Sequence, residues 1–194
     1  MSRVAAILIG LAACHSSEPK YPYAKEPDPR GSEYIIGVSD DLEISVWKNR
    51  DLDTKIAVRP DGNITMPLLG DVQAVGLTPT QLKTAISKRL AAFVRDEEAV
   101  VTVSVSGVNS YFVTVAGNVT TPGRIASKSY LTVADAIALA GGPNRFASPN
   151  EVVVLRHEDE GKMKRIPIDY TQISEGRNLE QNIVLLRGDR IFIP

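Results

Sequence analysis

Side chains that build catalytic and metal centres are scarce in this sequence. Its 194 residues include one cysteine, Cys14, and two histidines, His15 and His157. With so few histidines, we expect neither a Ser-His-Asp triad nor a histidine metal site, and one cysteine cannot form an internal disulfide. No glycine-rich loop followed by lysine is present to hold phosphates. We expect a protein without catalytic residues, metal or cofactor, in which His157 is a solvated loop residue.

Strongly basic character and long apolar runs are also missing. The chain has 22 Lys and Arg against 23 Asp and Glu, a formal charge of -1, so it offers no basic face of the kind that binds nucleic acid. After Cys14, no apolar run approaches the ~20 residues of a membrane-spanning helix. An apolar content of 43% over 194 residues is ordinary for one or two folded domains.

The amino terminus reads MSRVAAILIGLAAC. Arg3 precedes an apolar segment, 4–11, that is too short to cross a bilayer, so residues 1–13 are predicted to be a signal peptide. Leu11-Ala12-Ala13-Cys14 resembles the lipobox of bacterial lipoproteins, which implies cleavage before Cys14 and lipidation of its thiol and new amino group. Each buried acyl methylene contributes ~0.8 kcal/mol, so several chains make a stable anchor. A buried or incidental cysteine is the alternative.

Residues 14–33 are polar and rich in proline, and they show neither helical nor alternating periodicity. Because proline favours extended conformations, this segment is predicted to be a tether that spans ~3 Å per residue. It would hold the anchor apart from two folded domains, which we place at 34–107 and 108–194.

The first domain carries signals for strands and a turn. Apolar and polar residues alternate over 42–46 and again over 101–105, as in strands with one buried face. Asp61-Gly62 is a tight-turn pair, which predicts a hairpin between Ile56/Val58 and Ile64/Met66.

One helix is predicted after this turn. Thr78 supplies a capping hydroxyl, Pro79 occupies the first helical position and Gln81 completes a capping box. The helix is expected to end near Arg95 and Asp96 and to bury one stripe, formed by Leu82, Ala85, Ile86, Leu90 and Phe93. We therefore predict a small α+β domain with one helix on a mostly antiparallel sheet.

The second domain shows the same mixture of elements. A helix capped by Thr132 is stopped by Gly141-Gly142-Pro143. Strands are expected around Phe112 and over 152–156, 164–168 and 191–193, the middle two forming a hairpin.

Three acidic motifs have both a functional and a structural interpretation. Asp40-Asp41 and the Asp51/Asp53 pair have the composition of acid-base or cation sites, although such pairs are more often turn residues. Arg187-Gly188-Asp189 spells a cell-adhesion tripeptide, and we interpret it as a turn before the last strand.

Aromatic side chains provide platforms on which sugar rings stack. They make up only 6% of the chain. Because a strand on a sheet buries one face, we expect core packing for Trp47 and Phe112. The candidate platforms are Trp47, Tyr111, Phe112, Tyr130 and Tyr170.

Taken in order over 34–194, these motifs resemble the bacterial outer-membrane polysaccharide export family. The export-domain motifs are Tyr34-Ile35-Ile36-Gly37, 40–47, the run VRPDGNITMPLLGDVQAVGLT from Val58 to Thr78, and 101–105. Later segments resemble a soluble-ligand-binding β-grasp domain, namely 115–119, Pro122-Gly123, Ala136-Ile137 with 140–142, and Gly188-Asp189 with Ile191 and Pro194.

The resemblance implies a lipid-anchored subunit of a periplasmic ring beneath the outer membrane, through which capsular polysaccharide or exopolysaccharide passes without chemistry. By the same analogy, His15 after Cys14 is compatible with outer-membrane delivery. The implied partners are the polysaccharide chain, further copies of the subunit and an inner-membrane co-polymerase coupled to a tyrosine kinase. Fuller family members continue into a pore-forming amphipathic helix, whereas this sequence stops at Pro194, so we expect a separate outer-membrane pore protein such as a β-barrel.

Two other classes stay open. A lipid-anchored periplasmic module that binds a glycan or small ligand without forming a ring fits the same motifs. A glycan hydrolase would need its acids among Asp40 to Asp53.

Overall fold

The structure, a computed structural model, describes residues 21–94, 100–158 and 161–194. The predicted signal peptide, Cys14 and His15 lie outside the described residues, as do Arg95 and Asp96. Within the described ranges, no helix combines the length and apolar character needed to cross a bilayer. Two hydrophobic clusters, one in each half, form the cores.

The first half is built on a three-stranded antiparallel sheet. Strand β1 (Asp41–Val46) lies between β2 (Thr54–Ala57) and β5 (Val101–Gly107). The predicted alternation is confirmed in β1, where Leu42 and Ile44 are fully buried. The first core therefore lies on one face of this sheet.

The predicted hairpin around Asp61-Gly62 is wrong in its pairing. The turn itself is present, since the Gly62 amide donates to the Arg59 carbonyl at 2.9 Å and Gly62 has a φ of 84°. However, β2 pairs with β1, whereas β3 (Asn63–Met66) pairs with β4 (Gly70–Gln73). The turn depends only on residues that are adjacent in sequence. Strand pairing depends on the whole sheet, in which β1 is the partner of β2.

Helix α1 (Pro79–Leu90) begins as predicted, with Thr78 and Gln81 forming both bonds of a capping box. Its inner stripe consists of Leu82, Ile86 and Leu90, all fully buried. The helix ends at Leu90, earlier than predicted, so Phe93 does not join the stripe and is exposed.

The second half contains a five-stranded mixed sheet. Its strands are β6 (Phe112–Gly117), β7 (Gly123–Ala126), β8 (Val152–His157), β9 (Met163–Ile168) and β10 (Arg190–Ile193). Their order is β7-β6-β10-β8-β9, with β10 parallel to β6 and the other neighbours antiparallel. The predicted hairpin is confirmed as β8–β9.

Two helices accompany this sheet. Helix α2 (Val133–Leu139) has the predicted Thr132 cap, and the left-handed Gly141 and Gly142 follow its end. Helix α3 (Tyr170–Ser174) follows β9 and starts at an Asp169 cap. The α+β class predicted from the sequence is confirmed.

The described part of the predicted tether is not extended away from the domains. Tyr21 and Tyr23 pack against the second core, and the Tyr23 hydroxyl donates to the Pro167 carbonyl at 2.7 Å. The Glu33 carboxylate accepts from the Thr80 amide at 2.9 Å, at the start of α1. The tether prediction is therefore wrong for residues 21–33, and it stays a prediction for residues 14–20.

Candidate functional site

An open groove of about 1040 Å³ lies where β1 ends, and we call it the Trp47 groove. Its walls are residues 45–53, the β3–β4 turn at Pro67 and Leu68, and Phe93 with Val94 after α1. Trp47, Leu68 and Phe93 are 64%, 60% and 59% exposed. Three large apolar side chains at one groove are a candidate contact surface, since exposed apolar patches mark binding sites.

Main-chain hydrogen bonds fix the loop that presents Trp47. The Trp47 amide donates to the Val100 carbonyl at 2.9 Å, and the Asn49 amide donates to the Val46 carbonyl at 3.0 Å. The Asp53 carboxylate accepts from the Val46 amide at 2.8 Å, so this acid has a structural role. Asp51 lies in the short 3-10 turn Arg50–Leu52 and is exposed.

Two residues of the groove have a left-handed backbone without being glycine. Lys48 has a φ of 60° and Leu68 a φ of 63°. For an L-residue this conformation costs roughly 1–2 kcal/mol. Backbone strain of this kind concentrates at functional sites, where the surroundings hold it in place.

Three charged side chains of the groove, other than Asp53, are exposed and unpaired in the described part of the chain. In the described part of the chain, the side chains of Lys48, Arg50 and Asp51 have no hydrogen-bond or ion-pair partner. Two cations and one carboxylate are therefore available to a ligand beside the indole of Trp47.

The expectation of core packing is wrong for Trp47. In β1 the even positions Leu42, Ile44 and Val46 are buried, so the next odd position points outward. The alternation that identified the strand thus contained the signal for an exposed Trp47.

The other candidate platforms belong mainly to the second core. Tyr111 is buried, donates to the Leu185 carbonyl at 3.1 Å and meets Tyr130 edge-on at 5.3 Å. Core packing was also expected for Phe112, but it belongs to neither core cluster: it is half-buried beneath the Arg124 guanidinium, 3.5 Å from the ring centre. Tyr170 is partly buried against the same core.

Asp40 is the centre of the junction between the two halves. It is fully buried and accepts five hydrogen bonds, from the Tyr34 hydroxyl, the Gly37, Asn109 and Ser110 amides and the Ser110 hydroxyl, at 2.6–2.9 Å. These donors come from the segment before β1 and from the segment that joins β5 to β6. Asp40 is thus a structural carboxylate rather than one of a catalytic pair with Asp41.

Burial would raise the pKa of Asp40, but the hydrogen bonds from Tyr34, Gly37 and Ser110 outweigh it, so its pKa lies below the ordinary value. Burial, together with the hydrogen bond to Asp40, raises the pKa of Tyr34 to about 12. The junction is therefore built around an ionised carboxylate and a protonated phenol.

Arg187 links the second half directly to the first. Its guanidinium donates to the Ile35 carbonyl at 2.7 Å. A Cβ on Gly37 would lie 2.1 Å from Arg187 Nη1 and 2.3 Å from Ser110 Oγ, so only glycine fits the present packing. Asp41 accepts from the Asn109 side-chain amide at 2.9 Å and completes the junction.

A buried ion cluster holds the amino-terminal segment on the second half, and we call it the Arg156 cluster. Arg156 pairs with Glu26 at 2.8 Å and with Asp189 at 2.6 Å, and all three side chains are buried. Lys164 also pairs with Glu26, at 2.8 Å. Burial would raise the pKa of Glu26, but hydrogen bonds from Lys164 and Tyr21 outweigh it and lower the pKa.

This cluster decides between the two interpretations of Arg187-Gly188-Asp189. Asp189 is buried and paired, and Gly188 has a φ of 83° in the turn before β10. The prediction of a turn is confirmed.

The remaining candidates form no reactive group. His157 is exposed as predicted, but it is the last residue of β8 and not the first residue of the loop that follows, as was expected. Over residues 21–94, 100–158 and 161–194, no cluster of three or more His, Cys, Asp or Glu is placed to hold a metal ion.

Two family models match the chain, in the order of its two halves. Residues 28–106 match the family described as polysaccharide biosynthesis/export protein, and residues 112–167 match the SLBB domain. The chain therefore contains a polysaccharide biosynthesis/export domain followed by an SLBB domain, and the resemblance of the sequence motifs to the polysaccharide export family is confirmed.

Curated relatives agree with this family. The chain is 29% identical over 178 residues to the exopolysaccharide production protein ExoF of Rhizobium meliloti, covering 84% of this chain and 38% of the relative. It is 27% identical over 186 residues to the EPS I polysaccharide export outer membrane protein EpsA of Ralstonia nicotianae, covering 84% and 47%. The chain thus spans less than half the length of each of these relatives.

Proposed function

We propose that the protein is a lipid-anchored subunit of a ring-shaped translocon on the periplasmic side of the outer membrane. It passes capsular polysaccharide or exopolysaccharide without chemistry on the sugar. Support comes from the two matched domains and from relatives named for exopolysaccharide production and outer-membrane export.

The Asp40 junction is the structural observation that carries this proposal. A closed ring requires one face of each subunit to bind a different face of the next at a fixed angle. Three of the five hydrogen bonds to the buried Asp40 carboxylate come from Asn109 and Ser110 of the second half, and with the Arg187 contact to Ile35 they hold the two halves in a single orientation. A rigid two-domain unit is suited to repeat around an axis.

The proposed partners are the polysaccharide chain, further copies of this protein, an inner-membrane co-polymerase coupled to a tyrosine kinase, and an outer-membrane pore protein. Direct association can be measured by crosslinking in cells, followed by mass spectrometry of the captured species.

Mass photometry of the full chain in detergent tests the ring. We expect a closed oligomer of defined mass. A persistent monomer that binds sugar would instead support the alternative of a glycan-binding module without a ring.

The anchor has its own test, because it depends on Cys14 alone. We expect Cys14→Ser to move the protein from the membrane fraction to the soluble periplasmic fraction. Unchanged fractionation would contradict lipidation at this residue.

A further inference from the structure

We propose that the Trp47 groove binds a carboxylated segment of the exported glycan, with Trp47 as the stacking platform and Lys48 and Arg50 as the partners of the carboxylate. The identity of the ligand as an export polymer rests on the proposed function. The site itself rests on the geometry of the groove.

Trp47 presents its indole to an open groove. The indole is 64% exposed, and the main chain of Trp47 is held by the Val100 carbonyl. At about 1040 Å³ the groove is as large as the largest ordinary small-molecule sites, which span ~300–1,000 Å³. Sugar rings offer apolar C–H faces that pack on such aromatic surfaces.

The charges beside Trp47 favour an anionic sugar. Lys48 and Arg50 are exposed and have no partner in the described chain, and a guanidinium binds a carboxylate through two parallel hydrogen bonds. Asp51 is the unpaired acceptor available for sugar hydroxyls, whereas the Asp53 carboxylate already accepts from the Val46 amide. Asp53 is also charged, so the formal charges of the groove lining sum to zero, but Lys48 and Arg50 are the two cations that no described carboxylate pairs, and they complement a uronate or another acidic substituent.

The apolar wall formed by Leu68 and Phe93 also fits a protein partner, but the charges argue against it. Burying Lys48 and Arg50 in a protein interface would remove their hydration, which is costly unless the partner supplies matching acidic groups. A glycan in an open groove leaves these groups wet and is released readily. Weak and repeated contact is what a conduit for a long polymer requires.

The single tryptophan makes the site directly observable. Trp47 is the only tryptophan of the chain, so intrinsic tryptophan fluorescence reports on the groove alone. The full chain in detergent is titrated with oligogalacturonate and, separately, with malto-oligosaccharide of equal length. We expect a saturable change with the acidic probe that weakens as salt rises, and a smaller change with the neutral probe. No change with either probe in folded protein would overturn the proposal.

Matched variants separate the groove from general effects. We expect Arg50→Ala to weaken binding of the acidic probe about tenfold, which corresponds to about 1.4 kcal/mol. Arg145→Ala is the control, because Arg145 is likewise exposed and lies 4.6 Å from an exposed aromatic ring, that of Phe146. Calorimetry compares Trp47→Ala with Phe146→Ala, and only the first is expected to lose binding. Equal losses within either pair would contradict a specific site.

Failure of this proposal differs from failure of the export function. If the probes have no effect but Trp47→Ala and Leu68→Ala prevent association of copies in mass photometry, the groove is a protein interface and the glycan proposal is wrong. If deletion of the protein leaves polysaccharide export intact, the proposed function is contradicted, and the fluorescence titration still decides whether the groove binds an acidic glycan.

Discussion

The Arg156 cluster and the Trp47 groove use the same kinds of side chain in opposite ways. In the cluster, Arg156, Glu26 and Asp189 are buried and each charge has a partner. In the groove, Lys48 and Arg50 are exposed and have no partner in the described chain. Paired, buried charges fix the amino-terminal segment on the second half, whereas unpaired, exposed charges beside an aromatic ring are free to bind. Stability and binding are thus expected to respond to different residues.

The largest loss of stability is expected from Arg156→Ala. This change leaves Glu26 and Asp189 buried without their shared cation, which costs about 3–5 kcal/mol for a broken buried pair. Urea unfolding followed by circular dichroism measures the loss. Arg165→Ala, an exposed arginine on the neighbouring strand, is the control and is expected to change the free energy of unfolding by less than about 0.5 kcal/mol. Equal losses would show that burial of Arg156 contributes nothing.

A smaller loss is expected from Asp40→Asn at the junction. The neutral side-chain amide of asparagine replaces an ionised acceptor, and its NH2 group faces groups that are themselves hydrogen-bond donors. We expect the free energy of unfolding to fall by about 2–3 kcal/mol. Asp51→Asn in the groove is the matched control, because Asp51 is exposed, and its effect is expected to stay within about 0.5 kcal/mol. If both variants unfold at the wild-type urea concentration, the junction does not depend on this carboxylate.

The Tyr34–Asp40 hydrogen bond predicts a stability change at both ends of the pH scale. The folded pKa of Asp40 is lowered, so its contribution is complete above the ordinary carboxyl pKa of about 4 and is lost as pH falls from there through the folded pKa. The folded pKa of Tyr34 is raised from 10.0 to about 12, so its contribution is complete below 10.0 and is lost as pH rises through that interval.

Unfolding measured across this pH range checks both signs. We expect Asp40→Asn to flatten the acid side of the profile and Tyr34→Phe to flatten the alkaline side, each relative to wild type. A Tyr34→Phe profile that still follows wild type between pH 10 and 12 would contradict the assigned hydrogen bond.

The smallest expected effect is an increase in the stability of the protein, caused by a substitution in the groove. Leu68 has a φ of 63°, and asparagine adopts this conformation more readily, so Leu68→Asn is expected to stabilise the protein by about 0.5–1 kcal/mol. Leu179→Asn is the control, since Leu179 is similarly exposed and is absent from the positions with positive φ. Thermal unfolding compares the two, and a gain in both would mean that lost exposed apolar surface, and not backbone strain, is responsible.

Local signals in the sequence predicted local structure well. The caps at Thr78 and Thr132 depend on residues three positions apart, and both are present. Partners distant in sequence could not be predicted: Glu26 meets Arg156 across 130 positions, so a proline-rich segment was predicted to be a tether. The turn at Gly62 was predicted, but its strand pairing depends on β1 and was not. The exposed Trp47 follows from strand alternation, whereas the walls of its groove come from three separate segments.

The most direct test of the proposed export function uses a strain that lacks this protein. The polysaccharide on its surface and in its medium is measured. We predict that one acidic glycan is lost from both and that the wild-type gene restores it. The Arg50→Ala variant should restore it less well than Arg145→Ala. Unchanged surface and secreted polysaccharide in the deletion strain, with no second family member compensating, would contradict the assignment to export.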